Sequence, residues 1–327
     1  MIDIGFVMDP LASLNLKKDS TLAIIRSAQQ RGWRVWYMGQ QDLYMQRNDV
    51  HAAMRELRLT EPFVSALDAY QAGSNWYESA DEVHRPLSAM NVVMMRKDPP
   101  FNLEYIYSTY LLERAEAAGT LVVNRPASLR DCNEKVFATQ FPQCVPPLII
   151  SRRADLLRAF AAEHGDVVLK PLDGMGGASI FRIIRGDPNL SVVIETLTDF
   201  GRQQIMAQKF IPEIVDGDKR ILVVDGEAVP YCLARVPAAG EARGNLAAGG
   251  TGLGRELSDR DRWIVSQVAP ELKRRGLMFV GIDVIGDYLT EVNVTCPTCV
   301  RELNAQFGLD ITGTLLDAVE RRLQQRV

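Results

Sequence analysis

The chain has 327 residues, 47% hydrophobic and 24% charged, with a formal charge of −4, enough for two or three subdomains with substantial cores. That charge argues against the basic face of a nucleic-acid or membrane-surface binder, and no apolar run nears the ~18 residues of a membrane span. Five cysteines without framework spacing, behind an N-terminus that lacks a basic leader, imply reduced thiols in a cytoplasmic setting.

The first part of the chain alternates strands and helices, which implies a parallel sheet. Residues 3–8, 34–38, 91–95 and 121–124 read as its strands. Asp19 or Ser20 caps a helix that carries Leu22, Ile25 and Ala28 and ends at Gly32, and Asn102 opens another that closes at Gly119. Residues 39–88 are polar and weakly periodic and give no assignment. The dinucleotide fingerprint G-x-G-x-x-G is missing after the first strand, where VMDPLASLN stands, so a dinucleotide-binding domain is not expected. Loops after strands in such sheets still tend to hold ligands, which makes Arg96 of RKDPP a candidate contact beside an equal reading as turn chemistry.

A Pro-containing link, Asn124-Arg125-Pro126, leads into a second unit. Asp131 with Glu134 reads as a capping box that puts Lys135 on the second turn of its helix, and Ser151 is expected to cap a helix ending at His164. Strands are expected at 148–150, 167–170, 179–184 and 205–211, with a helix over 192–200. The loop DGMGGA, with Gly174, Met175, Gly176 and Gly177, lets backbone N–H groups approach phosphate oxygens, and Lys170 just before it can neutralise their charge. It is not a P-loop, because G-x-x-x-x-G-K-[ST] is absent and the loop runs into a strand; alone it is equally a tight turn. Gln208, Lys209, Phe210 and Ile211 could meet an adenine edge, with Asp218 in reach of a ribose, although a buried sheet strand is the better reading on the residues alone.

In the last unit Asp225-Gly226 signals a type I′ hairpin. The glycine-rich stretch 237–254 is too poor in apolar bulk to pack as a core element. Ser258 with Asp261 opens a long helix to about residue 274, and a C-terminal helix presents Ile311, Leu315, Leu316, Val319 and Leu323 on one face. Between these helices lies GIDVIGDYLTEVNVTCPTCVR, where Asp283, Glu291 and Asn293 interrupt apolar strands. Burying such carboxylates costs several kcal/mol, roughly, unless a cation compensates, and Mg²⁺ prefers these oxygens. Glu291 and Asn293 share a strand face; Asp283 joins it only opposite Glu291, which asks for an odd turn such as Gly286-Asp287-Tyr288. A plain hairpin with two solvated acids is the alternative. Cys296 and Cys299 form a CxxC with no second pair to complete a zinc site, and read as incidental thiols.

The order Lys135, Lys170 with GMGG, an adenine-type strand, then Asp283 and Glu291-x-Asn293 is similar to the ATP-grasp superfamily of carboxylate–amine ligases. The blocks KDPPFNLEYIYSTYLLERA, SLRDCNEK, LKPLDGMGGASIFR, DGDKRILVVDGEAVPYCLAR and RGNLAAGG resemble bacterial glutathione synthetases, with Cys296 standing where that family is expected to have Ser. The resemblance implies an ATP-grasp fold behind an N-terminal parallel-sheet preATP-grasp domain, divided as 1–124, 125–204 and 205–327. It implies ATP-dependent joining of γ-glutamylcysteine and glycine through an acyl phosphate, with release of ADP and phosphate. It also implies Asp283, Glu291 and Asn293 on two Mg²⁺ (Mn²⁺ as an alternative), and Lys135, Lys170 and residues 174–177 on the phosphates. Gln208, Lys209, Phe210 and Ile211 would line the adenine pocket, with Asp218 near the ribose. Arg220 and Arg301 would meet anionic groups, while Arg243 would arrive on a lid formed by 237–254. A homotetramer with no nucleic-acid or membrane partner completes the expectation. Rivals are another ATP-grasp ligase, such as a D-alanine–D-alanine or amino-acid ligase, and a non-catalytic nucleotide-binding protein.

Overall fold

The computed structural model describes all residues except 66–74, 175, 239, 242, 245–248 and 326–327. Its N-terminal elements are β1 (Asp3–Val7), α1 (Ser20–Gln30), β2 (Arg34–Met38), β3 (Leu43–Gln46), β4 (Asp49–Leu59), α2 (Glu61–Ser65), β5 (Tyr77–Ser79), β6 (Val83–Pro86), β7 (Val92–Met95), α3 (Leu103–Ala117) and β8 (Leu121–Val123). Strands β2, β1, β7 and β8 pair in parallel, as the strand–helix alternation implies. The stretch that gave no assignment extends this sheet antiparallel: β4 pairs with β2, and β3, β5 and β6 pair with β4. Asp19 caps α1 through Leu22 N–H and Asn102 caps α3 through Tyr105 N–H, each satisfying an otherwise orphan donor of the first turn.

Helices α4 (Pro126–Asp131) and α5 (Glu134–Ala138) follow. The capping expectation is corrected here. Asp131 ends α4, and the chain breaks at Cys132, so the cap of α5 is Asn133, whose side chain accepts from the N–H groups of Lys135 and Val136. Lys135 therefore stands in the first turn. A four-stranded sheet comes next, from β9 (Leu148–Ser151), β10 (Val167–Pro171), β11 (Phe181–Ile183) and β12 (Ile205–Lys209) in the order β11-β10-β12-β9, backed by α6 (Ala154–His164) and α7 (Leu190–Leu197). Ser151 lies two residues before the Arg153 cap position of α6 and accepts from Arg153 N–H instead of capping the helix itself.

The third sheet holds β13 (Asp218–Val224), β14 (Glu227–Val236), β15 (Thr251–Glu256), β16 (Phe279–Ile285) and β17 (Tyr288–Asn293) in the order β15-β14-β13-β16-β17. Asp225 and Gly226 both take positive φ, 48° and 78°, the requirement of the expected I′ turn. The end of the glycine-rich stretch, from Thr251, is not a loop but the edge strand β15, where backbone pairing with β14 needs no apolar bulk. Helix α8 (Asp259–Arg274) carries the expected capping box, and α9 (Val300–Phe307) and α10 (Ile311–Gln324) close the chain.

Two of the three hydrophobic cores mix side chains of the N-terminal sheet with those of the third sheet and its helices, whereas the central sheet and α6–α7 have a core of their own. Asn124 fixes the first junction: its side chain donates to Phe279 O and Val294 O, both at 2.7 Å, and accepts from Phe279 N–H. The buried Arg96 fixes a second, donating to Thr21 Oγ1 and to Pro297 O, which makes it a strut between lobes. The central lobe thus faces a rigid two-sheet base.

Candidate active site

Between the lobes lies a cavity of about 550 Å³. One face of the third sheet forms its floor, and strand register places the charges there. Arg235 on β14 opposes Asp218 on β13, Arg220 on β13 opposes Asp283 on β16, Asp283 opposes Glu291 on β17, and Gly281 opposes Asn293. A Cβ at Gly281 would lie 2.8 Å from the Arg220 side chain, so glycine is what lets that guanidinium lie across β16.

The required opposition of Asp283 and Glu291 exists, but not through an odd turn. The turn has two residues, Gly286 and Asp287, with Ile285 opposite Tyr288 and Val284 opposite Leu289. A β-bulge then leaves Thr290 without a partner and returns Glu291 to Asp283, while Thr290 Oγ1 donates to Asp283 O at 3.1 Å. The extra residue sits in the strand.

Asp283 is 2% exposed and its charge is already matched. Arg220 grips it at two points, 2.5 and 2.9 Å, Arg235 reaches it at 2.9 Å, and Asn293 Nδ2 donates at 3.2 Å. Burial opposes its ionisation, yet the two guanidiniums outweigh burial and hold its carboxyl well below the usual range. The inference that a buried Asp283 needs a metal cation is therefore corrected: two arginines supply the compensation. At Asp218 burial wins, pushing the carboxyl up to about 7 against Arg235, because that arginine is shared with Asp283. Asp218 Oδ1 is buried with no hydrogen-bond partner.

Lys135 closes one side of the floor. Its Nζ donates to Gly174 O at 2.8 Å and Glu134 Oε1 at 2.7 Å, and stands 3.6 Å from Glu291. Burial works against its charge, but Glu291 and Glu134 raise its affinity for the proton above the ordinary value. Lys170, paired in register with Met206, is buried, and burial lowers its hold on a proton. In the glycine loop, Gly176 and Gly177 take positive φ, 64° and 81°, and a Cβ at Gly174 would strike the Pro171 ring at 2.6 Å. These three positions demand glycine; Met175 lies outside the described residues.

Of the expected site residues, the cavity gathers Lys170, Gly174, Gly176, Gly177, Gln208, Phe210, Ile211, Asp218, Arg220, Arg243, Glu291 and Asn293 on its wall. Phe210 packs under the Arg182 guanidinium, 3.7 Å from the ring centroid. Arg243 pairs with Glu241 at 2.9 Å and meets Gly177 O at 3.4 Å, bridging the 237–254 stretch to the glycine loop; residues 239, 242 and 245–248 of that stretch lie outside the described residues. Asp283 and Lys135 sit behind the wall. The Lys209 side chain is exposed, and its N–H is taken by Pro147 O. Arg301, on α9, is buried and donates to Leu16 O in the N-terminal lobe. Sequence reasoning read Arg235 as a solvated arginine and offered Asp98 only as part of the RKDPP loop, ranked below Arg96; it did not place Glu134, Thr295 or Thr298 at the site. Period-two alternation along β13 and β14 could have found Arg235, since it shares a face with its partner Asp218.

Among the described residues no cluster of three His, Cys, Asp or Glu side chains forms, so a metal here would also need the Asn293 amide oxygen. Glu291 and Asn293 line the cavity with oxygen donors suited to a hard divalent cation, and Asp283 stands directly behind them with both oxygens engaged.

A glycine loop and two lysines from the central lobe and α5 facing an acidic strand pair across one cavity define an ATP-grasp ligase. Solved structures share this fold: D-cycloserine synthetase DcsG at TM-score 0.66 and 14% identity over 98% of this chain and 99% of that one, and the ATP-grasp ligase PsnB complexed with minimal precursor, Mg and ADP at TM-score 0.61 and 19% identity over 98% of each. The model of the prokaryotic glutathione synthetase N-terminal domain matches residues 2–130, and that of the prokaryotic glutathione synthetase ATP-grasp domain matches 134–308. Glutathione synthetases of Pseudomonas aeruginosa and Vibrio vulnificus are 59% and 56% identical, each over 99% of both chains, and that of Yersinia pestis is 56% identical over 100% of this chain and 99% of its own. The chain belongs to the prokaryotic glutathione synthetase family and is an ATP-dependent ligase.

Proposed function

We propose that the chain joins γ-glutamylcysteine to glycine to make glutathione, forming ADP and phosphate. The observation that carries this reading is the convergence, on one cavity, of Lys170 and the glycine loop with Glu291 and Asn293. A carboxylate is a poor electrophile. It first attacks the ATP γ-phosphoryl group, and the amine of glycine then displaces phosphate from the acyl phosphate through a tetrahedral intermediate. Such a sequence asks the protein mainly for positioning and charge neutralisation.

Lys135, Lys170 and residues 174–177 hold the phosphates; Lys135 also fixes the loop through Gly174 O. The adenine lies against Gln208, Phe210 and Ile211, with Lys209 at the rim, and the unsatisfied Asp218 Oδ1 offers an acceptor to a ribose hydroxyl. Mg²⁺, as two ions with Mn²⁺ as a substitute, would be held by Glu291 and Asn293, with Asp283 behind them, and would supply charge neutralisation at the phosphates. Arg220 and Arg243 serve the anionic transferring groups, and Arg301 supports the acid-substrate end from behind the wall. The stretch 237–254 carries Arg243 over the reacting centre to exclude water. Three sheets support the three-part organisation 1–124, 125–204 and 205–327. A homotetramer in the cytoplasm belongs to the same reading; among the described residues no helix is long and apolar enough to cross a membrane. Release of ADP with γ-glutamylcysteine plus glycine, but not with D-alanine, supports the assignment; the reverse preference sinks it.

A further inference from the structure

Among the described residues, one cavity carboxylate with a buried oxygen is left out of the charge pairing; Asp173, which also lines the wall, is exposed. Asp98 follows β7 and lines the wall with Thr295 and Thr298 from the loop after β17. Its Oδ2 accepts from Thr295 Oγ1, while Oδ1 is buried with no hydrogen-bond partner. Its basic neighbours are committed elsewhere: Lys97 pairs with Asp9 at 2.7 Å, and Arg96 donates to Thr21 Oγ1 at 3.1 Å and Pro297 O at 2.9 Å. Asp98 takes part in no ion pair among the described residues, unlike Asp218, Asp283, Glu134 and Glu291. Burial raises its carboxyl above the usual range, the mark of an anion short of partners.

Position along the chain says what could supply the partner. Glu291 touches Lys135, which holds the glycine loop; Asn293 comes two residues later, and Thr295, bonded to Asp98, two residues after that. Asp98 is therefore tied to the loop beyond the end of β17 rather than to the glycine loop that Lys135 holds. The acid substrate has its reacting carboxyl at the phosphates and its one cationic group, the α-ammonium of the glutamyl residue, at the opposite end. Glycine is the poorer fit, because its amine must shed its charge to attack and a carboxylate partner would retain it.

We propose that Asp98 receives the α-ammonium of the acid substrate and selects γ-glutamyl acids that carry it, an assignment that rests on the ligase reading above. Thr295 orients the carboxylate by occupying Oδ2 and leaving Oδ1 for the ligand.

The test compares the wild type and Asp98→Asn, which keeps an acceptor for Thr295, on γ-glutamylcysteine and on N-glutarylcysteine, the same acid without its α-amino group. Asp98→Asn is expected to raise KM for γ-glutamylcysteine roughly 10- to 100-fold, the range for a charged hydrogen bond, with KM for ATP and glycine unchanged. N-glutarylcysteine should be as poor a substrate for the wild type as γ-glutamylcysteine is for the variant, and the substitution should add nothing further on it. Equal losses on both acids, a raised KM for glycine, or no change at all would overturn the proposal. A wild type that turns over neither acid overturns the ligase reading itself, and the proposal with it, without reference to the variant.

Discussion

Arg235→Met removes the cation shared by two buried carboxylates. Asp283 keeps its two-point pairing with Arg220 at 2.5 and 2.9 Å, so the loss falls on Asp218, whose Oδ1 has no partner to begin with. Left ionised, Asp218 would be an uncompensated buried charge, costing about 3–5 kcal/mol. Protonation offers a cheaper escape. Its carboxyl already sits at about 7, so taking up a proton at pH 8 costs only about 1.4 kcal/mol relative to the wild type, and the escape wins. A neutral carboxyl short of partners adds about 1–3 kcal/mol at any pH. The sign follows from proton binding. Where the folded chain holds a proton that the unfolded chain has released, rising pH favours unfolding; for the wild type that window runs from about 4 to 7, and for the variant it extends past 8. Urea unfolding followed by tryptophan fluorescence should show Arg235→Met destabilised by about 1–3 kcal/mol at pH 5.5 and about 1.4 kcal/mol more at pH 8. Adding Asp218→Asn should abolish the pH-dependent part. A penalty equal at both pH values, or one that stays pH-dependent in the double variant, would refute this reasoning.

Two further outcomes separate chemistry from stability. Glu291→Gln should lower kcat for ADP release by ~10²-fold or more with little change in Tm, since Glu291 is partly exposed to the cavity; unchanged product formation would remove it from the phosphate site. Lys170→Met should abolish saturable use of ATP yet leave Tm the same or higher, because burial already disfavours the lysine charge; a Tm lowered by several degrees would mean that Lys170 is a structural cation.

The parallel core of the N-terminal sheet was legible because strands and capped helices alternate there, and Asp19 and Asn102 announce the helices. The antiparallel extension was not. In β4 the buried alternation of Val50, Ala52 and Met54 breaks before Leu57 and Leu59, so neither strand period runs long enough to stand out. The Asp283–Glu291 opposition was legible from side-chain parity, but parity does not say whether the odd residue lies in a turn or a bulge. Arg235 was hidden for a related reason. A lone arginine on a strand reads as a solvated residue until its cross-strand partner is known, and a register shift in the β13–β14 ladder intervenes. The unpartnered Asp98 depends on contacts about 200 residues apart in the chain, which no local pattern encodes.

The central claim is that an acyl phosphate forms at this site before the amine attacks. γ-Glutamylcysteine labelled with ¹⁸O in its cysteinyl carboxylate tests it directly, with the released phosphate analysed by mass after a single turnover with ATP and glycine. One labelled oxygen in inorganic phosphate, with ADP as the only nucleotide product, is the predicted result. Unlabelled phosphate, or AMP with pyrophosphate, would contradict the account.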